Sequence, residues 1–312
     1  MGSPEFAVPC LRALVGAHEV ALVVSQPDKP AGRGSQLTAP AVKTAALELG
    51  LPVLQPRSAK TGELRDAMVA TGAELAVVVA YGKILPPPVL EALPRGCINV
   101  HGSLLPAYRG AAPIQWAVIN NDAETGVSIM QLDAGMDTGP VLLERRTPIG
   151  REETSGDLFV RLAPFGAAAL LEGIDGLIAG TLTPMAQHHA KATHARMLEK
   201  ADGAIDFAQP AALVASRIRG VDPWPGAQAM LGGQLVKLFR AVTSDLTGAA
   251  PVGQVLAITA EGAVVAAREG TVLIREIQAP GRKRMTMQQY AAGRGISVGD
   301  KLTTPPPPPE TP

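Results

Sequence analysis

The chain has 312 residues, of which 46% are hydrophobic, and its 28 basic residues balance 28 acidic ones. That length and apolar content suit two globular domains, each with its own core, and exclude a fibrous or disordered chain. No apolar run reaches the roughly 18 residues a membrane span needs, and no basic segment followed by an apolar one opens the chain, so a soluble, cytoplasmic monomer without a membrane partner is expected.

Apolar runs alternate with amphipathic segments through the first half, as in parallel α/β proteins. Residues 19–25, 75–80 and 96–100 read as strands, and 41–49 and 62–70 as helices. Residues 86–93 read as a short helix whose prolines fit its first turn. Two further strands, 125–132 and 140–147, form a hairpin, and 154–178 carries apolar residues at helical spacing. Pro164 inside that helix predicts a kink or a broken turn. A Rossmann-like, mostly parallel sheet over residues 1–180 follows, with ligands bound beyond the carboxyl ends of its strands.

Residues 181–203 read as a linker holding His188, His189 and His194, a cluster that no acid or thiol completes as a metal site. Cys10 and Cys97 are expected as reduced, buried thiols, too few for a disulfide framework. A β-rich domain then covers 204–302. It has a helix at 210–220 and strands at 227–231, 234–241, 253–258, 263–267 and 270–278. The first two strands meet at Gly232-Gly233, a pair suited to the positive φ of a tight hairpin. Five strands and one helix suggest an OB-like barrel. Between residues 204 and 302 there are 11 Lys and Arg against 7 Asp and Glu, a basic excess that a nucleic-acid backbone could use. The proline-rich tail 303–312 is expected to be disordered.

The chemistry gathers in Ile98-Asn99-Val100-His101-Gly102-Ser103-Leu104-Leu105-Pro106 and, further on, in Asp133-Ala134-Gly135-Met136-Asp137-Thr138-Gly139-Pro140. Residues two apart on a strand point the same way, so Asn99 and His101 share a side and place a neutral donor beside a titratable one. If Asp137 folds back beside them it can orient the imidazole, which when protonated is a charged donor for an oxygen that becomes negative in a transition state. That set suits acyl or formyl transfer. A Ser103-His101-Asp137 hydrolase triad is disfavoured because no Gly-x-Ser-x-Gly elbow surrounds Ser103.

The string from Asn99 through Tyr108-Arg109-Gly110-Ala111-Ala112-Pro113 to Asp137-Thr138-Gly139-Pro140 closely resembles the formyltransferases that use 10-formyltetrahydrofolate. The loop Gln26-Pro27-Asp28-Lys29-Pro30-Ala31-Gly32-Arg33-Gly34 and the segment Asp222-Pro223-Trp224-Pro225-Gly226 resemble those that act on methionyl-tRNA. The resemblance implies Asn99, His101 and Asp137 as the catalytic set and no metal. Ser103, Leu104, Leu105 and Pro106 would line the folate site, with Tyr81, Gly82, Ile84 and Asp133 beside the pterin. It further implies initiator methionyl-tRNA as partner, held by Arg33 with Lys29, Lys200 and Arg217. The chain departs from the family at Ser35-Gln36 and Met197, where basic residues are expected. Relatives also carry a short apolar strand just before the turn that opens this chain, so the first, central strand is expected to be missing from the chain as written. A glycinamide ribonucleotide formyltransferase, a formyltetrahydrofolate hydrolase and an amino-sugar formyltransferase are the alternatives within the group, and a non-catalytic RNA-binding module is the alternative outside it.

Overall fold

A computed structural model describes residues 1–31, 36–246, 248 and 250–306. The chain forms two compact units. The first comprises Met1–Pro113, Thr125–Thr147 and Phe159–Ala195, and the second comprises Ile114–Glu124, Pro148–Leu158 and Arg196–Pro312. Two excursions of the first half, 114–124 and 148–158, thus belong to the second unit. The linker residues up to Ala195 belong to the first.

The first unit is built on a sheet in which Ala76–Val78, Cys97–His101, Glu124–Gln131 and Val141–Pro148 lie side by side. The first two are parallel, and Cys97–His101 runs antiparallel to Glu124–Gln131. A separate parallel pair joins Val23–Val24 to Val53–Leu54. Met1 and Gly2 lie between Val23–Val24 and Ala76–Val78, both shorter than the apolar runs that encode them. The Met1 ammonium donates to the Val77 carbonyl at 2.6 Å, Val79 N–H donates to Met1, and Gly2 N–H donates to Val24. Gly2 forms an isolated bridge with Val79 there, and no strand is formed by these two residues, as expected. Beside it lies a cavity of about 510 Å³ lined by apolar residues such as Leu22, Val77 and Ile174.

Ser155–Ala179 is one continuous helix through Pro164, without the expected break. Pro164 lies on the exposed face, where water can serve the carbonyl that lost its N–H partner. The helix is apolar enough, by length and composition, to suit a membrane span. Here its Leu158, Leu162 and Leu170 are fully buried. Gly166 and Gly173 let it approach the sheet closely. A Cβ at Gly166 would stand 3.0 Å from Val100, and one at Gly173 would stand 3.0 Å from Ile129.

In the second unit the strands run in the order Val255–Thr259, Gly262–Ala266, Thr271–Gln278, Gln234–Ser244, Ala227–Leu231 and Leu302–Thr303, with Met285–Thr286 paired to Thr271–Gln278. Gly232 and Gly233 take φ values of 54° and 78°, as the tight hairpin requires. An isolated bridge, Gln254 to Lys301, links the two ends of the order in place of a strand pair, so among the described residues no continuous ladder closes the sheet. Thr303, assigned to the tail by sequence, pairs with Met230. The residues beyond 306 lie outside those described. Helix Ala211–Gly220 packs on strand Gln234–Ser244, and Ser216 anchors it by donating to the Ile119 carbonyl.

Candidate active site

Cys97–His101 is buried along its whole length, flanked by a strand on each side, so its carboxyl end is held rigidly. Asn99 and His101 leave it on the same face, both nearly buried. Among the described residues no hydrogen bond engages the Asn99 amide, which leaves it open to a bound group. His101 Nε2 lies 2.9 Å from the Tyr108 carbonyl oxygen. A carbonyl only accepts, so this nitrogen carries the proton and Nδ1 is directed elsewhere.

Nδ1 faces Asp137, whose Oδ2 stands 3.7 Å away. That is ion-pair range and too long for a hydrogen bond. The ring is therefore oriented by the Tyr108 carbonyl, and not by Asp137 as the sequence suggested. Asp137 Oδ2 instead accepts the Gly110 N–H at 2.8 Å. Asp137 itself adopts φ 53° in the turn between two strands, a conformation a short polar residue tolerates. The carboxylate and the imidazole Nδ1 so meet at the end of the strand whose same face carries Asn99, where open α/β sheets bind ligands.

The loop after His101 is closed by its own bonds. Ser103 Oγ donates to the Ala107 carbonyl at 2.6 Å, and Ser128 Oγ bridges the Ser103 carbonyl and the Leu105 N–H. Leu105 packs on Met130 and Val141 in the core, whereas Leu104 and Pro106 remain half-buried. Asp133 accepts from Gly135 N–H and Thr138 Oγ1, closing the turn that carries Asp137. The Tyr81 ring is buried in the core and its carbonyl accepts from Gln26 Nε2 at 2.8 Å. Gly82 and Ile84 beyond it are exposed. Cys97, at the start of the strand, is a buried thiol pushed up to about 11 by burial, so it stays protonated at neutral pH. Among the described residues no three His, Cys, Asp or Glu side chains gather as a metal site.

Residues 5–174 match the model of the formyl transferase family, and 197–295 match that of the formyl transferase C-terminal domain. The methionyl-tRNA formyltransferase of Desulfotalea psychrophila is 50% identical over 305 residues, 97% of this chain and 94% of that protein. That of Sorangium cellulosum is 46% identical over 300 residues, covering 96% of each. The chain belongs to the methionyl-tRNA formyltransferases of the formyl transferase family. At the level of fold it is similar to a sugar 3N-formyl transferase solved in the presence of dTDP and 5-N-formyl-THF. The TM-score is 0.67 at 16% identity, over 90% of this chain and 97% of the other.

Of the cationic residues that family likeness pointed to, Lys29 belongs to the first unit and Lys200 and Arg217 to the second. Arg33 lies outside the described residues. Lys29, on the short strand Lys29–Ala31, donates to Gln26 Oε1 at 2.6 Å. Lys200 is exposed at the start of a turn, and Met197, in place of a family lysine, is 71% exposed. Arg217 lies over the Trp116 ring and 3.8 Å from Asp202. Burial holds its guanidinium below its ordinary pKa. Sequence reasoning missed the main-chain groups of Tyr108 and Gly110 that hold His101 and Asp137. It also missed the part of the linker that supports them. Thr193 accepts the Tyr108 N–H through Oγ1 and the Arg109 N–H through its carbonyl. No residue-type signal marks such main-chain partners.

Proposed function

We propose that the protein transfers the formyl group of 10-formyltetrahydrofolate to the α-amino group of initiator methionyl-tRNA, with Asn99, His101 and Asp137 as its catalytic set. The observation that carries this reading is an imidazole anchored at one nitrogen only and facing a carboxylate, at the end of a strand whose same face carries an unengaged amide. The free amine of the aminoacyl group attacks the formyl carbon, a C–N bond forms, and the carbonyl oxygen takes the electron pair. The Asn99 amide and a protonated His101 Nδ1 supply preorganised donors for that oxyanion. The 3.7 Å between Nδ1 and Asp137 Oδ2 suits a reacting atom or a water that touches both. Asp137 accepts the proton of the attacking amine and returns it to the folate nitrogen as that C–N bond breaks.

Leu104, Pro106, Gly82, Ile84 and the Asp133 turn supply the exposed wall for folate, while Ser103, Leu105 and Tyr81 shape that wall from below. The β-rich unit, read as an OB-like barrel, adds its basic excess to the tRNA contact, with Arg33, Lys29, Lys200 and Arg217 as the phosphate-facing cations. The protein works in the cytoplasm as a monomer. One turnover assay with 10-formyltetrahydrofolate and methionyl-tRNA tests the reading. Formylmethionyl-tRNA is the expected product. A protein that binds tRNA without forming it, or that formylates only an amino sugar, refutes the proposal. In the same assay Arg33→Ala should weaken methionyl-tRNA use and leave folate affinity unchanged.

A further inference from the structure

The turn that carries Asp137 is pinned by a side chain from the far linker. Gln187 is 7% exposed, and its amide is fully engaged. Its Nε2 donates to the Asp137 carbonyl at 2.8 Å and to the Gly139 carbonyl at 2.7 Å, two points on the turn that carries the carboxylate. Its Oε1 accepts from Arg109 Nε at 3.1 Å and Nη2 at 2.6 Å. Arg109 is 5% exposed and reaches on to His189 Nδ1 at 3.0 Å. A guanidinium bonded to the amide oxygen withdraws charge from the amide and strengthens its N–H donors, as bonds in a chain polarise one another.

The same stretch of chain holds the partner side of the pair. His194–Ala195 runs parallel to Arg109–Gly110, Thr193 binds Tyr108 and Arg109, and Ala112 N–H donates to Ala195. Tyr108 gives its carbonyl to His101, and Gly110 gives its N–H to Asp137. Residues 187–195 therefore fasten both halves of the His101–Asp137 pair, and Gln187 joins the two halves through one amide.

We propose that Gln187 is a positioning residue, which with Arg109 fixes the Asp137 carboxylate at its working distance from His101. The role rests on the reading of Asp137 as a catalytic group. A displacement of about 1 Å in a catalytic group can cost on the order of 100-fold in rate. Gln187→Leu, which removes every bond of the amide at similar volume, should lower kcat about 10- to 100-fold while KM for both substrates changes by less than about 3-fold. A residue that only stabilises the fold would lower the active fraction by the same factor whether or not the acid is present. The deciding measurement is therefore a double-mutant cycle with Asp137→Ala, with thermal unfolding recorded for every variant. In the Asp137→Ala background, Gln187→Leu should cost less than about 3-fold further.

Equal losses in both backgrounds, or an unchanged kcat in Gln187→Leu, overturn the proposal. Should Gln187→Leu fail to fold, Gln187→Glu keeps the volume and the acceptor for Arg109 but turns an oxygen toward the two carbonyls. A folded Gln187→Glu with lowered kcat supports the role, and one with full kcat overturns it. If Asp137→Ala alone keeps its rate, the catalytic reading fails first. If Asp137→Ala is crippled and Gln187→Leu is not, only the positioning role fails.

Discussion

Replacing Asp137 by Asn isolates the charge of the acid from its place in the fold. The asparagine oxygen can still accept the Gly110 N–H, so the turn keeps its 2.8 Å anchor while the negative charge facing His101 is removed. Two unit charges 3.7 Å apart attract by about 4.5 kcal/mol at an effective dielectric constant of about 20, and by about 1 kcal/mol in bulk water. With side chains 6% and 17% exposed, the pair lies between these limits. Transition-state stabilisation lost with the charge should slow the chemical step roughly 5- to 2000-fold. A single-turnover assay with saturating 10-formyltetrahydrofolate and methionyl-tRNA reads that step without product release. The loss should persist at about 0.5 M salt in a rate normalised to bound tRNA, because a buried pair is little screened. A folded Asp137→Asn whose single-turnover rate stays within about 3-fold of the parent would refute an electrostatic role for the acid.

Gly166→Val should destabilise the first unit by about 1–3 kcal/mol, since a Cβ there already meets Val100 at 3.0 Å; the shift it forces on the strand between Asn99 and His101 should lower kcat as well as Tm. The Asp202 carboxyl is raised by burial, but the hydrogen bonds and charges of Arg196, with Glu199 N–H and Arg217, outweigh this and hold it below its ordinary value. Its stabilising contribution is therefore present above the unfolded pKa of about 4 and is lost as the pH falls below it. Urea unfolding of Asp202→Asn should accordingly show a deficit at pH 7 that shrinks toward pH 3. An apolar segment of about five residues fused ahead of Met1 should enter the 510 Å³ cavity as a strand and raise Tm, because each buried aliphatic side chain contributes about 1.5–3 kcal/mol against an ordering cost of about 1–2 kcal/mol per residue. An unchanged Tm would show that the cavity admits no strand.

Much of the architecture is legible because it rests on local patterns. Alternation and apolar runs mark Cys97–His101 and the hairpin that follows, the Gly232-Gly233 pair marks its turn, and helical spacing marks Ser155–Ala179 through its proline. The short strand pairs Val53–Leu54 and Arg109–Gly110 with His194–Ala195 are not legible. Two residues carry no period, and they become strands only when a distant segment offers its backbone. The capping box of Thr286 and Gln289, which opens the helix Met287–Ala292, has a local signature and could have been read.

The sequence by itself determined which side chains share a face at the end of the strand Cys97–His101. Asn99 and His101 share a face because a strand has a period of two, and the family string names Asp137 as their companion. Only the tertiary structure decided how those side chains are held. The Tyr108 carbonyl orients His101, the Gly110 N–H takes Asp137, and Gln187, fifty residues further along the chain, grips the turn of the acid. Main-chain carbonyls and N–H groups are the same at every residue, so a sequence cannot say which of them will be used. That choice is made by where the packed chain returns.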